Sequence, residues 1–291
     1  MILAALLAVA QPLPPLTVAY TIDPKHQLVE GLASDGNTLF VSSVLDRTII
    51  ACTDICRDQF QLDGPAVPLG LSWDRRRKLL WIAMHCPPLP GVGRCTGEVR
   101  AVTVKGQVKF RLWPNSPFSP GDISVVGKSI IVSDSGSGQI YRLAPEKRRW
   151  DKLILRGEMK SAQGTAALED GSILAADYSN GISRIEAKSG DRSMLLQNDG
   201  KPLRGIDGMV PNRVYAYGIY NGSVPGKLLE LNVYGKVLRP RVLADLPDPT
   251  QIAIRGLELF AISDSGWSLI DQKKIRTQGA TIVSIPLPIW D

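Results

Sequence analysis

The sequence predicts an all-β chain folded as a six-bladed β-propeller, each blade a four-stranded antiparallel sheet set around a central channel. Three observations lead there. A phrase built from a small residue and an aliphatic one returns six times. It stands at Glu30-Gly31-Leu32-Ala33, Leu69-Gly70-Leu71-Ser72, Gly121-Asp122-Ile123-Ser124, Gln163-Gly164-Thr165-Ala166, Asp207-Gly208-Met209-Val210 and Thr250-Gln251-Ile252-Ala253. Successive starts lie 39, 52, 42, 44 and 43 residues apart, the roughly 40–50-residue spacing of propeller blades. After each phrase comes a tight turn and a second, nearly continuous apolar strand, and amphipathic helical periodicity is nowhere convincing.

Taken in order, the chain opens on Met1-Ile2-Leu3-Ala4-Ala5-Leu6-Leu7-Ala8-Val9-Ala10, an apolar run ending in a small-x-small pattern before Gln11 and Pro12. It is too short to span a bilayer and predicts a cleaved secretory leader over residues 1–10, although no Lys or Arg precedes it. The propeller is expected as a single domain over 16–291. Leu16-Thr17-Val18-Ala19-Tyr20-Thr21-Ile22 is a spare strand ahead of the first blade. Pairing it with the final strand, Ile282-Val283-Ser284-Ile285, would close the ring without an open edge. In blade one Ser34-Asp35-Gly36 turns into Leu39-Phe40-Val41, and in blade four Glu169-Asp170-Gly171 turns into Ile173-Leu174-Ala175-Ala176. Asp-Gly supplies the positive φ that such hairpins need. The matching second strands are Leu79-Leu80-Trp81-Ile82, Ile130-Ile131-Val132, Val214-Tyr215-Ala216 and Leu259-Phe260-Ala261-Ile262. Their unbroken apolar character suits strands sandwiched between neighbouring blades.

Composition narrows the function. With 44% hydrophobic and 21% charged residues the chain has material for a large core and is far from the disordered class. The net charge of +6 is mild. Its densest run, Asp74-Arg75-Arg76-Arg77-Lys78, falls in a turn with no stacking aromatics or recognition helix beside it, so a nucleic-acid partner is not expected. No stretch is long enough for a membrane span, and a monomer is expected. Cys52, Cys56, Cys86 and Cys95 all fall in the first two blades, and an even count there suits disulfides in an oxidising, periplasmic or extracellular compartment. Three pairings are open. Cys86 with Cys95, closing the loop Pro87-Pro88-Leu89-Pro90-Gly91-Val92-Gly93, is the simplest, and Cys52 with Cys56 then needs a turn between them. A zinc site lacks paired CxxC spacings and has only His85 nearby.

In a propeller the innermost strands begin at one rim of the channel, where the loops from second to third strands also emerge. Those loops are the longer and chemically richer ones here, so that face is the candidate site. Six residues open the innermost strands: Glu30, Leu69, Gly121, Gln163, Asp207 and Thr250. Two carboxylates and an amide thus converge on the mouth, and Ca²⁺ takes several such oxygen ligands. A water-filled channel needs polar walls in any case. On the same face, His85, Asp134, Tyr178, Tyr220 and Trp267 are candidate substrate contacts, with the aromatics as a stacking wall. With only His26 and His85 in the chain, a Ser-His-Asp triad has little material. Asp134-Ser135-Gly136 and Asp264-Ser265-Gly266 recur at one repeat position and read as turn chemistry.

Val29-Glu30-Gly31-Leu32-Ala33, followed by Asp35-Gly36-Asn37-Thr38-Leu39-Phe40-Val41-Ser42, resembles the first blade of the gluconolactonase and senescence-marker (regucalcin) propellers. The likeness implies one divalent cation, most naturally Ca²⁺ with Zn²⁺ or Mn²⁺ as alternatives. It would be held by Glu30, Gln163 and Asp207, with Asp207 helping water attack a sugar-lactone carbonyl. Gln163 stands where the family has Asn, and Gly121, in Pro120-Gly121-Asp122, stands where a second Asn is usual. Two functions follow. The first is an exported, metal-dependent hydrolase of sugar-like lactones. The alternative is a non-catalytic propeller that binds a small ligand or a partner protein, as NHL-type repeats do.

Overall fold

The computed structural model describes residues 15–287, so the leader expected over residues 1–10 lies outside the described residues. Six four-stranded antiparallel sheets form the blades of a six-bladed propeller. Blade one, for example, runs Val29–Ser34, Leu39–Ser43, Thr48–Cys52 and Cys56–Gln61. The sixth blade takes its outermost strand from the other end of the chain. Thr17–Thr21 pairs with Thr281–Pro286, with Thr17 opposite Ser284 and Thr21 opposite Thr281. This is the closure anticipated for Leu16–Ile22, and it leaves no edge between first and last blades.

Apolar cores fill the gaps between blades. Ala33, Phe40 and Ile49 of blade one meet Leu71, Leu80 and Ile82 of blade two. Ile22, Val29 and Leu39 meet Phe260, Ile262 and Ile282 across the closing seam. Second strands such as Leu39–Ser43 and Leu79–His85 are buried almost throughout, which explains their unbroken apolar runs. Both disulfides are formed. Cys52 and Cys56 face each other across the hairpin that turns at residues 53–55. Cys86 and Cys95 close the Pro-rich loop, their Cα atoms 5.5 Å apart.

The innermost strands are irregular at the recurring phrase. Register shifts fall between Val29 and Leu32, Pro68 and Leu71, Pro120 and Asp122, Ala162 and Thr165, and Ile206 and Met209. A bulge lifts a residue out of the ladder and re-aims its side chain. Glu30, Leu69, Gly121, Gln163 and Asp207 all sit inside these shifts. The glycine after the opening residue lets the next blade press in. A Cβ on Gly31 would lie 2.2 Å from the Leu69 carbonyl oxygen, and one on Gly164 would lie 2.4 Å from that of Asp207.

Two blades depart from the phrase at that glycine, and they lie opposite one another in the ring. Blade three has Asp122 and blade six has Gln251. The two meet across the axis, where Gln251 Nε2 donates to Asp122 Oδ1 at 3.3 Å. A Cβ on Gly70 would come within 2.4 Å of Asp122 Oδ1, and one on Gly208 within 2.0 Å of Gln251 Oε1. The bridge therefore occupies space that the neighbouring glycines vacate. It bounds a lower channel of about 360 Å³ and separates it from the cavity at the opposite mouth.

Candidate functional site

A cavity of about 480 Å³ opens on the face that carries the long loops. Glu30, Gln163, Asp207, His85, Tyr178 and Trp267 line it together with Leu69, Gly121, Pro87 and Pro88. The backbone under the opening residues is pinned from neighbouring blades. Ser42 Oγ donates to the Leu69 carbonyl at 2.7 Å, Ser133 Oγ to that of Gln163 at 2.5 Å, and Thr250 Oγ1 to that of Glu30 at 3.0 Å. Neighbouring blades thus fix three of the rim positions, and the polar side chains project from a rigid ring.

The two carboxylates line the cavity, each half-buried. Burial pushes Glu30 up from 4.5 to about 7, against a hydrogen bond from Trp267 Nε1 to Glu30 Oε2, while the charges of Asp122 and Asp248 raise it further. Burial raises Asp207 well above its ordinary value, and the nearby charges of Glu30 and Asp122 add to the effect. Asn221 Nδ2 donates to Asp207 Oδ2 at 3.1 Å. Gln163 Nε2 donates to Ser161 Oγ at 3.2 Å, which turns its Oε1 toward the space beside Gly121. Two half-buried carboxylates in each other's field, with an amide oxygen beside them, form an arrangement that a hard cation would relieve. The Trp267 bond engages one Glu30 oxygen and leaves the other for a ligand. Among the described residues, no group of three or more His, Cys, Asp or Glu side chains converges as a metal cluster. The amide oxygen of Gln163 lines the same cavity as the two carboxylates.

His85 is the neutral partner in the cavity. Its Nδ1 lies 2.9 Å from the Pro120 carbonyl oxygen, which only accepts, so the proton sits on Nδ1 and Nε2 carries a lone pair. Burial holds this imidazole below its usual range, outweighing the Pro120 carbonyl and the charge of Asp134. Tyr178 borders Asp207, and burial followed by the Asp207 charge raises its phenol.

Asp134 and Tyr220 lie off the cavity wall. Asp134 is buried, and its Oδ1 accepts the backbone N–H groups of Ser119, Gly136 and Ser137 at 3.1–3.3 Å, so its carboxylate shapes the turn. The Tyr220 ring packs over Gly205 and Gly222. Three contributors carried no mark in the repeat: Asn221, Ser161 and Asp248. Asp248 Oδ2 accepts from Gly266 N at 2.8 Å and Ser265 Oγ at 3.1 Å, and Oδ1 accepts from Ser268 N at 3.1 Å. These bonds anchor the start of a five-residue helix, Trp267–Asp271, and so aim Trp267 at Glu30. One turn of helix is too short to show periodicity in sequence.

Comparison with solved structures places the fold among six-bladed propellers that include gluconolactonase and regucalcin. A gluconolactonase from Xanthomonas campestris superposes with a TM-score of 0.67 at 16% identity, over 94% of this chain and 90% of that one. A calcium-binding regucalcin from Agrobacterium tumefaciens gives 0.65 at 15% identity, over 94% and 96%. A virginiamycin B lyase from Staphylococcus aureus gives 0.61 at 14% identity, over 95% and 89%. No protein-family model and no curated protein sequence matches the chain. Identities this low speak for the fold alone.

Proposed function

We propose that this chain is an exported, monomeric, metal-dependent lactone hydrolase whose active site is the Glu30–Gln163–Asp207 cavity. The observation that carries the reading is the pair of half-buried carboxylates held above their normal range beside an amide oxygen, in one cavity. Glu30, Gln163 and Asp207 would hold a divalent cation, Ca²⁺ being the best match to an all-oxygen donor set. When bound, such an ion supplies Lewis-acid polarisation of an ester carbonyl. The protein's own residues do the rest. Asp207 takes a proton from the attacking water as the water oxygen bonds to the carbonyl carbon. The same group returns that proton to the ring oxygen when the ring C–O bond breaks, releasing the hydroxy acid. Asn221 fixes the Asp207 carboxylate during both transfers, and Trp267 holds Glu30 in place. The two disulfides support an oxidising compartment, periplasmic or extracellular.

The carboxylate pair also suits the second reading, a propeller that binds a ligand without turning it over, because Gln163 and Gly121 stand where the resemblance expects two Asn residues. One experiment separates them. Cation binding is measured by calorimetry with Ca²⁺, Mn²⁺ and Zn²⁺, and lactone hydrolysis is followed by pH-stat for the wild type and Asp207→Asn. The expected result is stoichiometric uptake of one ion and a loss of roughly 10²–10⁴-fold in turnover on substitution. Full activity in Asp207→Asn, or no ion taken up at all, ends the hydrolase reading.

A further inference from the structure

The cavity has two unlike halves. One carries Glu30, Gln163 and Asp207, and the other is walled by Leu69, Pro87, Pro88 and the Trp267 ring. Leu69 occupies, in blade two, the strand-opening position that holds a polar residue in blades one, four and five. The apolar wall is also rigid. Leu69 packs with Leu28, Val44 and Val67, and Leu89, Val92, Trp267 and Ile270 pack against that cluster. The Cys86–Cys95 bridge closes the loop that bears Pro87 and Pro88.

Several of the side-chain donors in the cavity are already engaged. Among the described lining residues there is no Lys or Arg. Asn221 Nδ2 is given to Asp207, Gln163 Nε2 to Ser161 Oγ, Trp267 Nε1 to Glu30, and Ser135 Oγ to the Ser119 carbonyl. His85 spends its proton on Pro120. The second N–H of the Asn221 and Gln163 amides and the hydroxyls of Ser161 and Tyr178 are the side-chain donors left over, and none of them belongs to the Leu69–Pro87–Pro88 wall. A sugar lactone, with a hydroxyl on nearly every ring carbon, would bury several of them against Leu69, Pro87 and Pro88 without partners, and an unpaired buried hydroxyl is costly.

We infer that the preferred substrate is a lactone bearing a hydrocarbon substituent, its carbonyl on the acidic half and its alkyl chain on the Leu69–Pro87–Pro88 wall. This rests on the hydrolase reading for the word substrate and on the cavity alone for the ligand class. Each methylene moved from water onto the wall is worth about fourfold in affinity, so a tail of three methylenes gives roughly 50-fold.

The test pairs two lactones with the same six-membered ring, δ-decalactone and D-glucono-δ-lactone, each normalised to its hydroxide-catalysed rate. The expected result is a kcat/KM ratio of at least about tenfold in favour of δ-decalactone. Pro88→Ser, on an exposed loop position, and Leu69→Asn should each reduce that ratio through KM for the alkyl lactone. Equal rates, or preference for the sugar lactone, overturn the inference. If neither lactone is hydrolysed, calorimetric titration of both into the metal-loaded wild type decides it. Tighter binding of δ-decalactone that Pro88→Ser weakens upholds the ligand class while the hydrolase reading falls. Binding of neither lactone, or of the sugar lactone alone, overturns the inference as well.

Discussion

Replacing Glu30 by Gln should make the metal-free protein more stable at alkaline pH, which is the reverse of what removing a buried charged residue for packing reasons would do. Burial raises the Glu30 carboxyl from 4.5 to about 7. A carboxyl raised on folding binds its proton more tightly in the folded state. Its contribution is therefore complete below pH 4.5 and is lost as pH climbs through about 7. At about 1.4 kcal/mol per pH unit the wild type forfeits at most about 3 kcal/mol over that window. Gln keeps the shape and an oxygen for Trp267 Nε1 but never ionises. Urea unfolding in EDTA, from pH 4.5 to 8.5, is the assay. Near pH 5 the two proteins should differ little. At pH 8 Glu30→Gln should lead by up to about 3 kcal/mol, and because the carboxylate pair titrates jointly, Asp207 should titrate lower in the variant. Saturating Ca²⁺ should invert the order, since an ion at about 1,000 times its Kd adds about 4.1 kcal/mol to the protein that binds it. A Glu30→Gln protein that is less stable than wild type at pH 8 without metal would refute the argument, because the site would then not be an electrostatic burden.

Two further outcomes follow from other parts of the molecule. Cys86→Ser with Cys95→Ser frees the loop that carries Pro87 and Pro88, and should lower unfolding stability by up to about 3 kcal/mol for a closed loop of this length; urea titration with and without reductant reads it, and an unchanged midpoint would contradict the assignment. His26 is buried between Asp46 and Asp58, with Nδ1 2.8 Å from one carboxylate and Nε2 2.9 Å from the other. Burial opposes its charge, yet the bonds and charge of Asp46, then Asp58, hold the imidazole above its usual value, so its stabilising contribution is present below pH 6.5 and is lost at higher pH. His26→Gln should therefore cost more at pH 6 than at pH 9, by about 1–2 kcal/mol, and a pH-independent cost would show that only packing is at stake.

Much of the architecture was legible in the chain because a propeller writes its blade into sequence as a period. The step between phrases, the Asp-Gly turns and the apolar second strands each reflect a local constraint. The spare strand Leu16–Ile22 was readable because an unpaired edge is costly. The rim positions Glu30, Gln163 and Asp207 followed from the same period, and in the structure they line one cavity. What escaped depends on gaps between blades. Nothing in Asp122 or Gln251 announces a partner 129 residues away. Asp248 lies just outside the phrase, and its work is done on the helix that starts at Trp267. Asp134 and Asp177 sit at like positions before a turn, and the Oδ1 of each accepts from backbone N–H groups. Asp207 stands at a strand opening where no such group is in reach. Residue type alone does not separate these cases; what separates them is whether the local backbone already offers the carboxylate its donors.

That distinction bears on how such a ring acquires a site. The phrase at each blade opening has two jobs, carried by adjacent residues. The glycine position manages close approach to the next blade, as Gly31 and Gly164 show, and it resists change because a Cβ there would strike a backbone carbonyl. The residue before it lies in a bulge, outside the ladder, so it can vary without breaking pairing. Blades are thus free to differ at the rim while remaining alike in their frame. The exceptions at the glycine position support this division. Asp122 and Gln251 are accommodated as a mutually bonded pair across the axis, over glycines in the blades that flank them, and they close the channel beneath the cavity. A cavity with a closed floor excludes through-flow of water, which strengthens every charge interaction above it. The raised carboxylates at Glu30 and Asp207 owe most to their own burial, and the charge of Asp122 in another blade adds to it.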